Sequence, residues 1–254
     1  ATMAMAELLL MSSDFKLKRS VIEATKLCLR AQNLVDGQLR GWRYGVRPSD
    51  NDTSVTAWMV SALYTSRQCR LGELNREFQN SFAGALKWFE YATAPNGKTG
   101  YNVPGDEGSR LAKGFPSPYP FSKNISSMTA AGVLCRILAG QSRKDPSIRR
   151  SFDTLRLHPP MWREQKGRLL STINMYYWYY GTYAMYQYGG ISWTSWERKI
   201  QRALLDSQRA KSKKDPAEVD GSWDPIGEWG ISGGRVYSTA LGARILEVDY
   251  RFER

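Results

Sequence analysis

The sequence predicts an all-α protein of about nine helices in two layers. Apolar residues recur at helical rather than alternating spacing almost throughout its 254 residues. The predicted helices are of two kinds, amphipathic and almost wholly apolar, and the two kinds alternate along the chain. Such an alternation of half-exposed and buried helices is typical of an α/α barrel or a helical solenoid, in which an outer layer covers an inner one.

The outer helices are expected where one face of the helix is apolar and the rest is polar. In the first of them, Leu17, Val21 and Cys28 share a face, while Lys18 and Glu23 lie elsewhere. The outer helices are predicted at residues 16–33, 75–92, 146–157 and 193–208.

The inner helices are expected where apolar residues cover nearly every side, so that most of the helix surface must be buried. They are predicted at residues 1–12, 53–66, 124–139, 172–188 and 235–249. The links from outer to inner helices are long and rich in glycine, proline and aromatic residues, and loops of this kind often carry function. These links cover residues 34–51, 94–123 and 209–234.

Composition narrows the classes of function. The 36 basic and 24 acidic residues give a net charge of +12, but the charge is spread along the chain without a long basic tail, so we expect no nucleic-acid partner.

No apolar run reaches membrane-spanning length. The three cysteines lack metal-ligand spacing, and we expect no metal site and no cofactor. The hydrophobic content of 42% suits one domain over residues 1–254, and nothing in it indicates a cellular compartment.

A phrase repeats in the loops that precede three inner helices. A glutamine or an aromatic residue ends the outer helix, and a glycine followed by an aromatic residue comes before the inner helix. Repeats at a period of about 45 to 80 residues favour an array of αα units. The three copies are Gln32, Gly41 and Trp42, then Tyr91, Gly100 and Tyr101, then Gln208, Gly221 and Trp223.

Together with this phrase, four segments resemble the prenyltransferase and squalene-cyclase type repeat of the α/α toroid, or terpenoid cyclase-like, superfamily. The resemblance is closest to a bacterial, planctomycete-like branch of unassigned role. It implies an incomplete toroid, because a whole ring has more helices than nine. Since Ala1 lies within an apolar helix, we expect the C-terminal part of a longer chain, with upstream repeats or a second copy covering exposed helix faces. The four segments are residues 31–63, 128–140, 176–190 and 220–248.

Cyclases of this superfamily that begin by protonation share an Asp-x-Asp-Asp-Thr motif, in which the middle Asp donates the proton. Aligned on Thr53, this sequence has Asn51 at the donor position, between Asp50 and Asp52. An amide cannot supply the proton. Asp50 and Asp52 are therefore catalytic candidates only if the register shifts, and the alternative is a local role in capping the helix that follows.

A zinc centre like that of the prenyltransferases of this superfamily is not expected. Those enzymes resemble one another in an Asp-x-Cys-Tyr ligand segment at the start of an inner helix. The matching segment here has Gly234 and Val236 at the two ligand positions. The one histidine, His158, lies beside prolines, which predicts a surface turn rather than a ligand.

Aromatic residues supply most of the remaining candidates. The helix at 172–188 carries rings on every side, and these either fill the core or line a ligand cavity. The loop before the last helix adds acidic and aromatic residues where toroid cavities usually open. The candidate ligand-binding residues are Trp58, Tyr177, Trp178, Tyr180, Asp224, Glu228, Trp229 and Arg235.

Three functions follow as hypotheses. The first is a binding module without the standard catalytic motifs, for a small apolar molecule, a carbohydrate or a protein segment. The second is a terpene-cyclase-like enzyme on an isoprenoid or other apolar substrate, with Asp52 as the acid and the rings of residues 176–180 stabilising positive charge. The third is a carbohydrate-active domain that uses Asp224 and Glu228 as its acid pair.

Overall fold

The structure, a computed structural model, describes residues 1–106, 127–162, 173–210 and 219–251. Over this part of the chain it contains ten α-helices and one two-stranded hairpin, which confirms the all-α fold class. The helices are α1 (Thr2–Ser12), α2 (Lys16–Ala31), α3 (Thr53–Gln68), α4 (Asn75–Ala92), α5 (Ser127–Leu138), α6 (Pro146–Leu157), α7 (Met175–Tyr188), α8 (Gly190–Leu205), α9 (Gly230–Leu246) and α10 (Val248–Arg251).

Each of the nine predicted helices is present, and α10 adds a short tenth one. The predicted start of the last helix, at residue 235, coincides with a break in the observed helix. Although α9 begins at Gly230, Gly234 interrupts it with a φ of 65° and a ψ of −170°. A positive φ of this kind is accessible to glycine without a steric penalty. The uninterrupted part of the helix therefore starts at residue 235, as predicted.

The hairpin between α2 and α3 is not among the predicted elements. Its strands, β1 (Leu34–Val35) and β2 (Gln38–Leu39), pair in antiparallel register. The two turn residues, Asp36 and Gly37, have φ values of 51° and 72°. Asp-Gly is a preferred pair for a two-residue hairpin turn with both φ values positive, so the sequence did contain a signal for it.

The contacts between Cα atoms divide the chain into two compact units. Unit 1 comprises Ala1–Asp106 and Ala131–Arg149, and unit 2 comprises Glu107–Ala130 and Arg150–Arg254, as far as these residues are described. Within unit 1, α3 packs against α1, α2 and α4, and within unit 2, α7 packs against α8, α9 and α10. Helices α3 and α7 are thus the central elements of their units. The toroid, and a single domain over residues 1–254, stay predictions.

Helix α7 is buried as predicted, whereas α1 and α9 are not. In α7 every residue except Tyr176 and Tyr188 is buried. In contrast, Met11 of α1 is 85% exposed and Val236 of α9 is 82% exposed. The reason is that a helix buries only the stripe that faces its neighbours, whatever the composition of its other sides. The prediction that every apolar helix is buried on most sides is therefore wrong for α1 and α9.

Two tryptophans fasten the long loops to the helices on either side in the same way. Trp42 donates its indole N–H to the carbonyl of Cys28 on α2 (2.9 Å) and its backbone N–H to Oγ1 of Thr56 on α3 (2.9 Å). In unit 2, the indole of Trp223 donates to the carbonyl of Leu204 on α8 (2.8 Å), and its backbone N–H donates to a threonine of α9 (3.3 Å). In two of its three copies, the repeated phrase thus corresponds to the same hydrogen-bonded clamp.

Two glutamines strengthen the same loops. Nε2 of Gln32 donates to the carbonyls of Arg40 (2.6 Å) and Ser81 (2.9 Å). Nε2 of Gln208 donates to the carbonyl of Gly221 (2.7 Å). These bonds hold the loops that lead into α3 and α9.

Candidate functional site

Asp52 caps the first turn of α3. Its backbone is extended, with φ −136° and ψ 150°, and its Oδ1 accepts hydrogen bonds from the backbone N–H of Val55 (2.7 Å) and the hydroxyl of Ser54 (2.8 Å). The side chain is 0% exposed. An acceptor at this position satisfies a helix N–H that has no partner within the helix. Asp52 therefore has the geometry of a helix cap, which is the alternative to catalysis that the sequence predicts.

The neighbours of Asp52 have different partners. Asp50 pairs with the guanidinium of Arg43 (2.9 Å), and its side chain is 56% exposed. Asn51 is buried, and its carbonyl accepts a hydrogen bond from Nδ2 of Asn102 (2.8 Å). Asp50 and Asp52 are therefore held apart, one by a surface ion pair and the other by the helix.

One carboxylate oxygen of Asp52 takes no part in capping the helix. Its second oxygen, Oδ2, is buried and accepts no hydrogen bond from the residues that the structure describes. Tyr101 lies beside it: burial first, and then the charge of Asp52, raise the pKa of Tyr101, while a hydrogen bond with Ser54 acts in the opposite direction. A phenol therefore lies near the buried carboxylate at the start of α3.

Some rings of α7 pack in the core, and others lie in a polar region where α7 and α9 begin. Tyr177 and Trp178 are each 1% exposed. The hydroxyl of Tyr177 donates to the carbonyl of His158 (2.8 Å), and burial raises the pKa of this phenol. Trp178 packs against Trp162, with 6.2 Å between ring centroids. A buried tyrosine with a satisfied hydroxyl and a buried tryptophan packed on another ring are both core residues, so the packing alternative describes these two.

Tyr180 belongs to the polar region where α7 and α9 begin. Its ring is 5.0 Å from that of Tyr176, which in turn lies 6.5 Å from Trp229. Beside these rings, Nδ2 of Asn174 donates to Oε2 of Glu228 (2.6 Å). We call these residues, together with Tyr237, the Glu228 cluster: Asn174, Tyr176, Tyr180, Glu228, Trp229 and Tyr237.

The polar pair of the cluster is buried, and three of its rings reach the surface. Asn174 is 2% exposed and Glu228 is 5% exposed. Tyr176, Trp229 and Tyr237 are each partly exposed. Burial, and then the charge of Glu228, raise the pKa of Tyr237. The cluster thus presents aromatic surface around a fixed, buried carboxylate.

Local structure on both sides fixes this arrangement. Asn174 is the cap of α7, since its Oδ1 accepts from the backbone N–H of Tyr177 (2.9 Å). Glu228 follows Gly227, which has a φ of 103° and whose α-carbon faces the carbonyl of Ile173. A side chain at residue 227 would collide with that carbonyl, so glycine allows the close approach that places Glu228 beside Asn174.

The other predicted site residues lie outside the cluster. Asp224 and Arg235 form an ion pair (2.6 Å), and Arg235 also donates to Oγ of Ser222 (2.9 Å). Asp224 and Glu228 are thus held by different partners. Trp58, on α3 of unit 1, is 37% exposed. Of the predicted ligand-binding residues, the structure brings together Tyr180, Glu228 and Trp229.

Sequence reasoning did not select Asn174 or Tyr237 as site residues. The signal for Asn174 was available, because an asparagine directly before an aromatic helix is a frequent cap. The proximity of Tyr237 to Glu228 arises from the turn into α9, which no local pattern specifies.

Neither a metal-binding cluster nor a membrane-spanning helix occurs among the described residues. No group of three or more His, Cys, Asp and Glu side chains in this part of the chain is arranged to hold a metal ion. None of its helices combines the length and apolar composition that crossing a membrane requires.

Comparisons of the chain with protein-family models, with curated proteins and with solved structures found no match. The resemblance to toroid repeats therefore rests on the sequence of residues 31–63, 128–140, 176–190 and 220–248.

Proposed function

We propose that the chain is a binding module of the terpenoid-cyclase and prenyltransferase-like toroid type, and that it holds a small ligand at the Glu228 cluster. One observation carries the proposal: three partly exposed rings accompany a carboxylate that is only 5% exposed. Ligand sites are commonly lined by apolar and aromatic surface with a few fixed polar groups that set the orientation of the ligand. The cluster has this composition.

The ligand that fits combines an apolar or ring-shaped body with a hydrogen-bond donor. The faces of Tyr176 and Trp229 suit an apolar body or the apolar face of a sugar. Glu228 provides an acceptor whose position is fixed by Asn174 (2.6 Å). A small apolar molecule with a polar end and a carbohydrate both meet this description.

The start of α3 supports binding over acid catalysis. Oδ1 of Asp52 already accepts two hydrogen bonds within its own helix turn. Asn51, at the position of the cyclase proton donor, carries an amide that cannot act as an acid.

Native mass spectrometry of the purified chain tests the proposal. The protein is mixed in turn with pools of lipids, isoprenoid diphosphates and oligosaccharides, and the bound fraction is compared with that of Trp229→Ala. The matched control is Tyr250→Ala, because Tyr250 is an aromatic residue of unit 2 that is 91% exposed on α10. We expect the wild type and the control to retain a ligand and Trp229→Ala to lose most of it. Equal retention by all three proteins, or none from any pool, would reject the proposal.

A second candidate function is an enzyme on an isoprenoid. One observation favours it: Oδ2 of Asp52 is buried and accepts no hydrogen bond within the described residues. A buried carboxyl group beside Tyr101 is a candidate acid. The test is incubation with linear isoprenoids followed by mass analysis and chromatography of the extract, with Asp52→Asn as the comparison. A cyclised product that disappears in Asp52→Asn would establish the enzymatic activity. Recovery of the isoprenoid unchanged from the wild type would reject this second candidate function.

A further inference from the structure

Four apolar side chains project from the loops between α2 and α3. In the hairpin, Leu34 and Val35 are 40% and 36% exposed, and in the following loop Tyr44 and Val46 are 75% and 61% exposed. Exposed apolar residues that occur singly need no explanation, but a group at one end of a unit does. We call these four residues the apolar tip.

The backbone holds the two halves of the apolar tip together. The N–H of Arg47 donates to the carbonyl of Ala31 (3.2 Å), and the N–H of Asn33 donates to the carbonyl of Gly41 (2.9 Å). Nδ2 of Asn33 donates to the carbonyl of Asp50 (3.3 Å). The loop that carries Tyr44 and Val46 is therefore fastened to the segment that leads into the hairpin.

Four cations and one exposed carboxylate, that of Asp36 in the hairpin turn, accompany the apolar tip, so positive charge prevails there. Arg30 and Arg47 are exposed. Arg40 and Lys87 both donate to the neutral Oε1 of Gln38 (3.2 and 2.8 Å). None of the four belongs to an ion pair within the part of the chain that the structure describes. Their charge is therefore available to a partner.

We propose that this end of unit 1 docks on the surface of an anionic lipid bilayer. Tyr44 and Val46 would enter the interface between headgroups and acyl chains, where exposed aromatic and aliphatic side chains gain from burial. The four cations would meet the negative headgroups, to which basic residues near a membrane surface are attracted. The net charge of +12 acts in the same direction. This surface is separate from the Glu228 cluster and does not depend on the proposed function.

The composition of the tip favours a bilayer over other anionic partners. Single-stranded nucleic acid is held by stacking on aromatic faces, and the tip offers one ring, that of Tyr44, beside three aliphatic side chains. A stable protein interface buries about 800 Å² on each partner, more than a tip of four side chains provides. A bilayer needs only a few inserted side chains when cations add to the binding.

Co-sedimentation with vesicles tests the proposal. The chain is mixed with vesicles of phosphatidylcholine alone and with vesicles that also contain phosphatidylserine. We expect binding to the mixed vesicles, little binding to phosphatidylcholine alone, and weaker binding as salt is raised. Arg47→Asn should lower affinity about fivefold, which corresponds to one basic residue at the surface. Asparagine tolerates the φ of 47° at this position, so the loop is preserved. Val46→Asp should lower affinity further.

The matched control is Arg70→Asn. Arg70 is also an exposed arginine with positive φ, 52°, but it follows the end of α3 rather than preceding its start. We expect this variant to bind the mixed vesicles as the wild type does. Equal losses in Arg47→Asn and Arg70→Asn would overturn the proposal, because they would show a response to net charge alone. Failure of the wild type to bind mixed vesicles, including the case in which it binds only nucleic acid, would also overturn it.

Discussion

Replacing Trp42 by phenylalanine tests whether the repeated clamp stabilises the loop before α3. Trp42 is 0% exposed, and its indole N–H donates to the carbonyl of Cys28 at 2.9 Å. That carbonyl belongs to the last four of α2, which the helix itself leaves without a donor. The variant Trp42→Phe keeps an aromatic ring but removes this donor.

The expected cost is the sum of two effects. A buried carbonyl that loses its donor costs about 1–3 kcal/mol. The smaller ring also leaves space in the core, and each buried methylene equivalent that is lost costs about 0.8 kcal/mol. We therefore expect Trp42→Phe to lower the free energy of unfolding by about 2–4 kcal/mol.

The second clamp supplies an internal comparison. Trp223 is 2% exposed, donates to the carbonyl of Leu204 at 2.8 Å, and has its ring against Gly242. Trp223→Phe should therefore cost about as much as Trp42→Phe. The assay is urea unfolding followed by circular dichroism, with Tyr250→Phe, at a 91% exposed position, as the control.

The control should change the unfolding free energy by less than about 0.5 kcal/mol. If both tryptophan variants stay within that same range, the indole hydrogen bonds do not hold the loops. A large cost for one tryptophan and none for the other would contradict the equivalence of the two clamps.

Three further predictions concern the helix starts and the site. Asp52→Ala should lower the unfolding free energy by about 1 kcal/mol in urea titrations, whereas Asp52→Asn, which retains a cap acceptor, should not; equal costs would contradict the cap. Hydrogen bonds from Ser147 lower the pKa of Asp145 from 3.8 to about 2, so this carboxylate stabilises the fold above pH 3.8, and that contribution is lost as the pH falls toward 2. Asp145→Asn should therefore flatten the acid limb of unfolding curves measured at a series of pH values, and an unchanged limb would refute this. Gly227→Ala should lower the melting temperature and ligand retention together, because its φ of 103° and the carbonyl of Ile173 exclude a side chain. A variant with wild-type melting and retention would show that residue 227 does not position Glu228.

The positions of the helices could be predicted because the signals for them are local. The apolar period of residues 53–66 and the acidic residue before it are enough to locate the start of α3. The exposure of Met11 on α1 could not be predicted, because it depends on which helices lie beside α1 rather than on the composition of α1.

The candidate site was only partly predictable for the same reason. Glu228 and Trp229 could be selected from their loop, which is acidic, aromatic and long. The partner of Glu228, Asn174, is 54 residues away, and only the packing of α7 with α9 brings the two together. Conversely, Tyr177 and Trp178 resembled ligand-binding rings in sequence, and the structure places them in the core.

The fate of a ligand bound at the Glu228 cluster is the most direct test of the proposed function. The complex of the wild-type chain with its retained molecule is kept at ambient temperature for a day, and the mass of the bound molecule is measured at intervals by native mass spectrometry. A binding module predicts one molecule per chain whose mass equals that of the molecule supplied, and its loss in Trp229→Ala. A bound or released species of altered mass, or a molecule of the same mass but of changed chromatographic mobility after extraction, would contradict the account and identify the chain as an enzyme.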